Sequence, residues 1–178
     1  MKNTIAMFFA FLFSIFSSAS FSDDQVQGER VSITNAWSGS IITIYNESSN
    51  SWLWGYSKYS VRDYDTKNNW YVLYNSDSTV SFRNEWNGNC IESTSGRDIV
   101  HNPCSVYNDQ KFRLILTTTG AVMLKNDSDG GCLDNQSGSG ESFNIHLVDC
   151  PSPGSPVDSK LLWVLAAPFS NATVSPNQ

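Results

Sequence analysis

The chain has 178 residues, 11 Lys and Arg against 17 Asp and Glu, a formal net charge of −6 and 13% aromatic residues. An acidic balance of this kind excludes a basic face for the phosphate backbone, so no direct nucleic-acid binding is expected. The length is that of one domain with a core of its own.

Residues Ile5 to Phe16 are almost wholly apolar, follow Lys2 and lead into Ser17-Ser18-Ala19-Ser20. That order of charged, apolar and small residues predicts a secretory signal peptide over residues 1–22 and a secreted product. The apolar run falls short of the ~20 residues that a membrane-spanning helix requires. Removing 22 residues leaves about 156, with a net charge of 10 minus 17, or −7. Residues 23–30 carry little apolar material and are expected to be a short mobile segment, as is the tail, 170–178.

From residue 31 the chain repeats itself. Ser32-Ile33-Thr34-Asn35-Ala36-Trp37-Ser38-Gly39-Ser40-Ile41-Ile42-Thr43 returns 49 residues later as Ser81-Phe82-Arg83-Asn84-Glu85-Trp86-Asn87-Gly88-Asn89-Cys90-Ile91-Glu92. After another 42 it returns as Met123-Leu124-Lys125-Asn126-Asp127-Ser128-Asp129-Gly130-Gly131-Cys132-Leu133-Asp134. An apolar strand residue, an Asn, polar turn residues, a Gly and an apolar re-entry make hairpin chemistry. A second element also recurs, since Trp70 to Val80 aligns with Phe112 to Val122, and Leu162-Trp163-Val164-Leu165 closes the last copy. Alternation in these segments, frequent turn residues and no 3.6-residue stripe predict an all-β domain with little helix. Units of 42–49 residues cannot bury a core singly, so three must pack together. The expectation is a closed β-trefoil over residues 31–169; a two-sheet sandwich would explain the strands but not the threefold period.

Four cysteines allow three pairings. Repeat symmetry selects Cys90 with Cys104 and Cys132 with Cys150, 14 and 18 residues apart, each closing a loop within its own unit. No short Cys-x-x-Cys pair exists, so a zinc site is not expected, nor any other cofactor or metal.

The first unit is rich in rings: ten aromatic residues fall between Trp37 and Tyr74, against seven in the rest of the exported chain. Trp52, Trp54 and Tyr56 alternate, so on an extended strand they share one face, with Leu53 and Gly55 on the other. Facing outward, such rings would form an apolar patch suited to the C–H faces of sugars or to sterol and lipid surfaces. The candidate ligand-binding set is Tyr45, Trp52, Trp54, Tyr56, Tyr59 and Trp70, although Trp70 also aligns with the core-like Phe112 and Trp163.

Cys90-Ile91-Glu92 and Cys132-Leu133-Asp134 resemble the Cys-apolar-acid motif of ricin-B-type lectins. Gln110-Lys111-Phe112 is similar to their Gln-x-Trp motif, of which Asn68-Asn69-Trp70 and Leu161-Leu162-Trp163 keep only the aromatic. More specifically, Ser51-Trp52-Leu53-Trp54-Gly55-Tyr56, Thr117 to Asn126 and Leu162-Trp163-Val164-Leu165 resemble the binding subunits of cytolethal distending toxins. The Trp-Leu-Trp-Gly-Tyr run points to the A type of these subunits rather than the C type, while the short N-terminal segment without a lipidation cysteine departs from the A type. The resemblance implies a non-catalytic delivery subunit in a heterotrimer with a DNase-I-like nuclease subunit plus a second lectin-like subunit. Its target would be a host-surface glycan or a sterol-rich membrane. It also implies weaker lectin-like pockets at Glu92, Asn108, Asp109 and Gln110, and at Asp134. No His-Glu-x-x-His, Gly-x-Ser-x-Gly or phosphate loop is present, so no catalytic residues are expected. A stand-alone lectin and a trefoil protease inhibitor are the other function classes compatible with the pattern.

Overall fold

The computed structural model describes residues 25–61, 65–136 and 142–168. The expected signal peptide, the tail and Tyr64 lie outside them. Unit one comprises β1 (Gln25–Asn35), β2 (Ile41–Ile44), β3 (Ser51–Tyr56) and β4 (Trp70–Asn75). Unit two has β5 (Val80–Asn84), β6 (Asn89–Ser93), β7 (Ile99–Pro103) and β8 (Phe112–Leu116). Unit three has β9 (Val122–Asn126), β10 (Cys132–Gln136), β11 (Ser142–Val148) and β12 (Trp163–Ala166). The short helical pieces are 3-10 turns at Asp65–Asn68, Asn108–Gln110 and Ser159–Leu161, one before the last strand of each unit.

The outer strands of the units close a six-stranded antiparallel barrel in the order β1, β4, β5, β8, β9, β12 and back to β1. The inner strands form three hairpins, β2–β3, β6–β7 and β10–β11. These meet at one end of the barrel, where β3 pairs with both β7 and β11, and Asp98 bridges to His146. The molecule is a β-trefoil, and the ring of pairings leaves no room for a two-sheet sandwich.

The core repeats with the sequence. Ile33, Phe82 and Leu124 occupy equivalent positions, as do Ile42, Ile91 and Leu133, and all six are buried. Trp70, Phe112 and Trp163 form a third buried layer. Here the indoles do two things, because Trp70 Nε1 donates to the Ile42 carbonyl at 3.1 Å and Trp163 Nε1 to that of Leu133 at 2.9 Å. Burying a tryptophan without such an acceptor would leave an unsatisfied N–H and offset part of the gain from its apolar surface.

One polar residue repeats with the same regularity. Asn35, Asn84 and Asn126 are buried at the end of the first strand of each unit. Each side-chain carbonyl accepts turn amides of its own hairpin, for example those of Trp37, Trp86 and Ser128. Each side-chain amide donates to carbonyls flanking or within the 3-10 turn of the preceding unit: Lys160 and Leu162, Lys67 and Asn69, Asp109 and Lys111. An Asn at this place therefore shapes a turn and fastens it to the neighbouring unit.

The disulfides are Cys90–Cys104 and Cys132–Cys150, the pairing that repeat symmetry requires. The expectation for residues 23–30 needs correction. From Gln25 the chain is already in β1, with Val26 opposite Tyr74 and Gln27 opposite Leu73. This polar segment is ordered by backbone pairing along β4, and by Arg83 donating to Gln27 and Arg30 pairing with Glu85, rather than by burial of its side chains. Gly28 lies in the bulged part of the strand, where an added Cβ would stand 2.2 Å from the Tyr74 ring.

Candidate functional site

Strand β3 alternates as its sequence predicts. Leu53 and Gly55 face the interior and are buried, whereas Trp52 is 56% exposed and Trp54 and Tyr56 are half-buried. Gly55 cannot be larger, because a Cβ would come within 2.7 Å of Ser40 Oγ and 2.8 Å of Asn135 Oδ1. The outward rings form two pairs, Trp52 with Trp54 at 6.2 Å between centroids and Tyr45 with Tyr56 at 5.8 Å. Across the hairpin, Tyr56 lies opposite Ile41 and Trp54 opposite Thr43. Ile41 and Thr43 are on the same side as the rings, yet both are buried. The rings thus flank strand β2 on this face and remain partly in solvent.

Tyr45, Asn46, Glu47, Asn50, Ser51, Trp52 and Trp54 line an open concavity of about 930 Å3 on this face. The loop that forms its rim is held to β7 by a buried histidine. His101 Nε2 lies 2.9 Å from the Asn46 carbonyl and Nδ1 lies 3.0 Å from Asn89 Nδ2. Since a carbonyl only accepts and an amide nitrogen only donates, the ring is neutral, with its proton on Nε2. Burial pushes its pKa below the ordinary histidine value. The Asn50 amide also donates to the His101 carbonyl at 2.9 Å.

Of the other ring residues expected here, Tyr59 is exposed on the turn after β3. Trp70 does not belong to the patch: it is 0% exposed in the barrel core, where alignment with Phe112 and Trp163 also places it.

The lectin-like positions are arranged differently in each unit. In unit two, Glu92 accepts from Asn102 Nδ2 at 2.7 Å and from Gln110 Nε2 at 2.6 Å, so both carboxylate oxygens have protein partners. Gln110 Oε1 accepts the Ser105 amide. Asn108 is exposed, while Asp109 has a buried Oδ1 with no hydrogen-bond partner and a carboxyl pKa raised first by burial and then by the charge of Glu92. In unit three, Asp134 lies opposite His146, with 3.6 Å between its Oδ2 and the imidazole Nε2, and burial raises its pKa. In unit one the equivalent residue is Thr43, under Trp54.

Sequence reasoning missed a wall of residues beyond the indoles. Gly96, Asp98, Gln136, Asn144 and His146 join Trp52 and Trp54 around a second cleft. No local pattern marks these residues, since they come from two hairpins and meet the indoles of a third only through the trefoil closure.

Among the described residues no group of three His, Cys, Asp or Glu side chains is placed to hold a metal, and no helix is long and apolar enough to cross a membrane. His101 is engaged in the loop clamp, His146 faces Asp134, and all four cysteines are in disulfides.

A family model described as the cytolethal distending toxin A/C domain matches residues 30–176. The A-type subunit of cytolethal distending toxin from Aggregatibacter actinomycetemcomitans is 29% identical over 138 residues, covering 76% of this chain and 61% of that protein. This chain therefore spans about three fifths of the length of that relative. The crystal structure of cytolethal distending toxin from Actinobacillus actinomycetemcomitans contains a similar chain, with a TM-score of 0.72 and 26% identity over 82% of this chain and 95% of that one. The designed threefold-symmetric protein ThreeFoil shares the fold, with a TM-score of 0.66 and 16% identity over 77% of this chain and 97% of its own.

Proposed function

Given that this chain belongs to the cytolethal distending toxin A/C domain family, we propose that it is a non-catalytic binding subunit of a three-part genotoxin. In this reading it is exported, holds a host-surface glycoconjugate or sterol-rich membrane, and carries a DNase-I-like nuclease subunit together with a second lectin-like subunit. The observation that carries it is the outward pair of indoles, Trp52 and Trp54, beside Tyr45 and Tyr56. Rings of this size left in solvent at the rim of a concavity are features of a recognition surface rather than of a stabilised exterior.

In this reading the roles are divided between regions of the fold. Binding occupies the first hairpin, where the rings are. The barrel and the stapled hairpins of units two and three keep that hairpin in place and leave other faces for partner subunits. Nothing in this reading requires chemistry from the chain itself.

The experiment has two arms. The exported chain is mixed with the candidate nuclease and second lectin-like subunits, and a stoichiometric ternary complex is expected by size-exclusion chromatography. In parallel, the Trp52→Ser/Trp54→Ser variant should bind target cells at least about tenfold more weakly, since two ring contacts at a hot spot are worth on the order of 2 kcal/mol. The same variant should keep its melting temperature and assemble normally. Unchanged cell binding by the folded variant would remove the patch from the mechanism, and failure to form any complex would leave a free-standing lectin.

A further inference from the structure

The second cleft, of about 270 Å3, opens where the three hairpins converge and is bounded by residues of every unit. Unit one contributes Trp52 and Trp54, unit two Gly96 and Asp98 from the β6–β7 turn, and unit three Asn144 and His146 from β11. Asn144 lies directly opposite Trp54 across the β11–β3 pairing, and Asp98 bridges to His146. The opening is therefore bordered by indole on one strand and by polar side chains on the neighbouring strand and turn.

We propose that this cleft binds a single neutral pyranose ring of a surface glycan. The inference rests on the surface-binding role assigned above and gives it a ligand class and a place. A pyranose is two-sided, with a C–H face that stacks on an aromatic ring and a rim of hydroxyls that need acceptors and donors. The indole wall suits the first. Asp98 and Asn144 suit the second: both are exposed, and among the described residues neither side chain makes a hydrogen bond within the protein. Binding there exchanges water for sugar hydroxyls without breaking a hydrogen bond within the protein.

Charge and size narrow the class. No Lys or Arg lines the cleft, and Asp98 adds a carboxylate, so sialylated or sulfated rings meet repulsion without a counter-charge. The volume is at the lower edge of the ~300–1,000 Å3 typical of small-molecule sites. One sugar ring fits that space, whereas a four-ring sterol also meets an unsuitable polar wall. Neither Glu92 nor Asp134 lines the cleft; Glu92 is held by Asn102 and Gln110, and Asp134 lies behind His146.

Gly96 gives a direct way to close the cleft. A Cβ there would meet only Asp98 Oδ2 at 3.6 Å and Thr94 Oγ1 at 3.7 Å, both ordinary contacts, so Gly96→Phe fills the opening without a clash at its base. The full chain is titrated with methyl β-galactoside, methyl β-glucoside, methyl β-N-acetylglucosaminide and sialyl-lactose, reading tryptophan fluorescence and amide NMR shifts. At least one neutral pyranoside should saturate, with sialyl-lactose about tenfold weaker. Gly96→Phe should abolish that saturation, and Asp98→Ala/Asn144→Ala should weaken it about tenfold, as a check independent of the bulky substitution. Both variants should keep the wild-type melt and enter the ternary complex.

The assignment is overturned if no neutral pyranoside saturates the wild-type protein, if sialyl-lactose is preferred, or if both variants bind like wild type. Retained assembly with no pyranoside binding would remove the cleft site alone and leave the delivery reading intact. Pyranoside binding with no assembly would do the reverse.

Discussion

The hairpin of unit one and those of units two and three solve one packing problem with different chemistry. Ile41 stands where the others have Cys90 and Cys132, and Thr43 where they have Glu92 and Asp134. Units two and three tie the re-entering strand with a disulfide and place an acid one turn of the pleat further on. Unit one has neither, and instead sets Tyr56 and Trp54 of the neighbouring strand beside the two positions. The aromatic residues thus stand beside the positions that the other units fill with a cysteine and an acid. The exposed rings of unit one thus stand in the one hairpin that has neither disulfide nor acid.

That contrast can be broken most severely from the stapled side. Replacing all four cysteines with Ala should cost about 6 kcal/mol, ~3 for each loop in the chain-entropy model. Urea unfolding would show it, and a loss below ~2 kcal/mol would mean that packing alone fixes the hairpins of units two and three. On the unstapled side, Ile41→Ala should cost ~2–5 kcal/mol because the side chain, beside Tyr56, is almost fully buried. A cost near that of an exposed substitution, within ~0.5 kcal/mol, would show that the rings do not stabilise β2.

The smallest effect concerns the clamp between the aromatic rim and β7. The folded state holds His101 neutral, so it binds a proton less readily than the unfolded chain does. Stability should therefore fall as pH drops through the unfolded histidine value near ~6.5 and continue to fall until the folded ring protonates. Asp109 and Asp134, with raised pKa values, contribute in the opposite sense, since their share is lost as pH rises above the unfolded carboxylate value. Comparing melting temperatures of wild type and His101→Gln between pH 7.5 and about 5 cancels the carboxylates. The variant should show a shallower acid slope, and equal slopes would assign the pH response to other groups.

The parts of the structure that repeat were legible in the sequence, because three copies of a short pattern reinforce one another. Asn35, Asn84 and Asn126 mark the same turn three times, and the cysteine pairing follows from the same alignment. Trp70 shows how two local signals can conflict: its neighbours are exposed rings, but its period places it with Phe112 and Trp163, and the period decides. Strand β1 was missed from Gln25 to Arg30 because hydrophobicity reports burial, and this stretch is fixed by main-chain pairing with β4. Asp98 and Asn144 gave no sign at all, since only the fold brings them beside Trp54, a residue of another unit.

The barrel is closed by β1 and β12, with Ser32 opposite Ala166 and Asn35 opposite Trp163. The earliest and latest strands of the trefoil are therefore neighbours, and a nascent chain has no way to complete the ring until its final strand has been made. Every hairpin can form from local contacts as it emerges, but Trp163 must arrive before β1 has a partner on that side. Assembly is thus ordered in time by a topology that in the finished molecule looks nearly rotationally equivalent, and a truncation of only the last strand would leave an open sheet edge along Ser32 to Asn35 of the first.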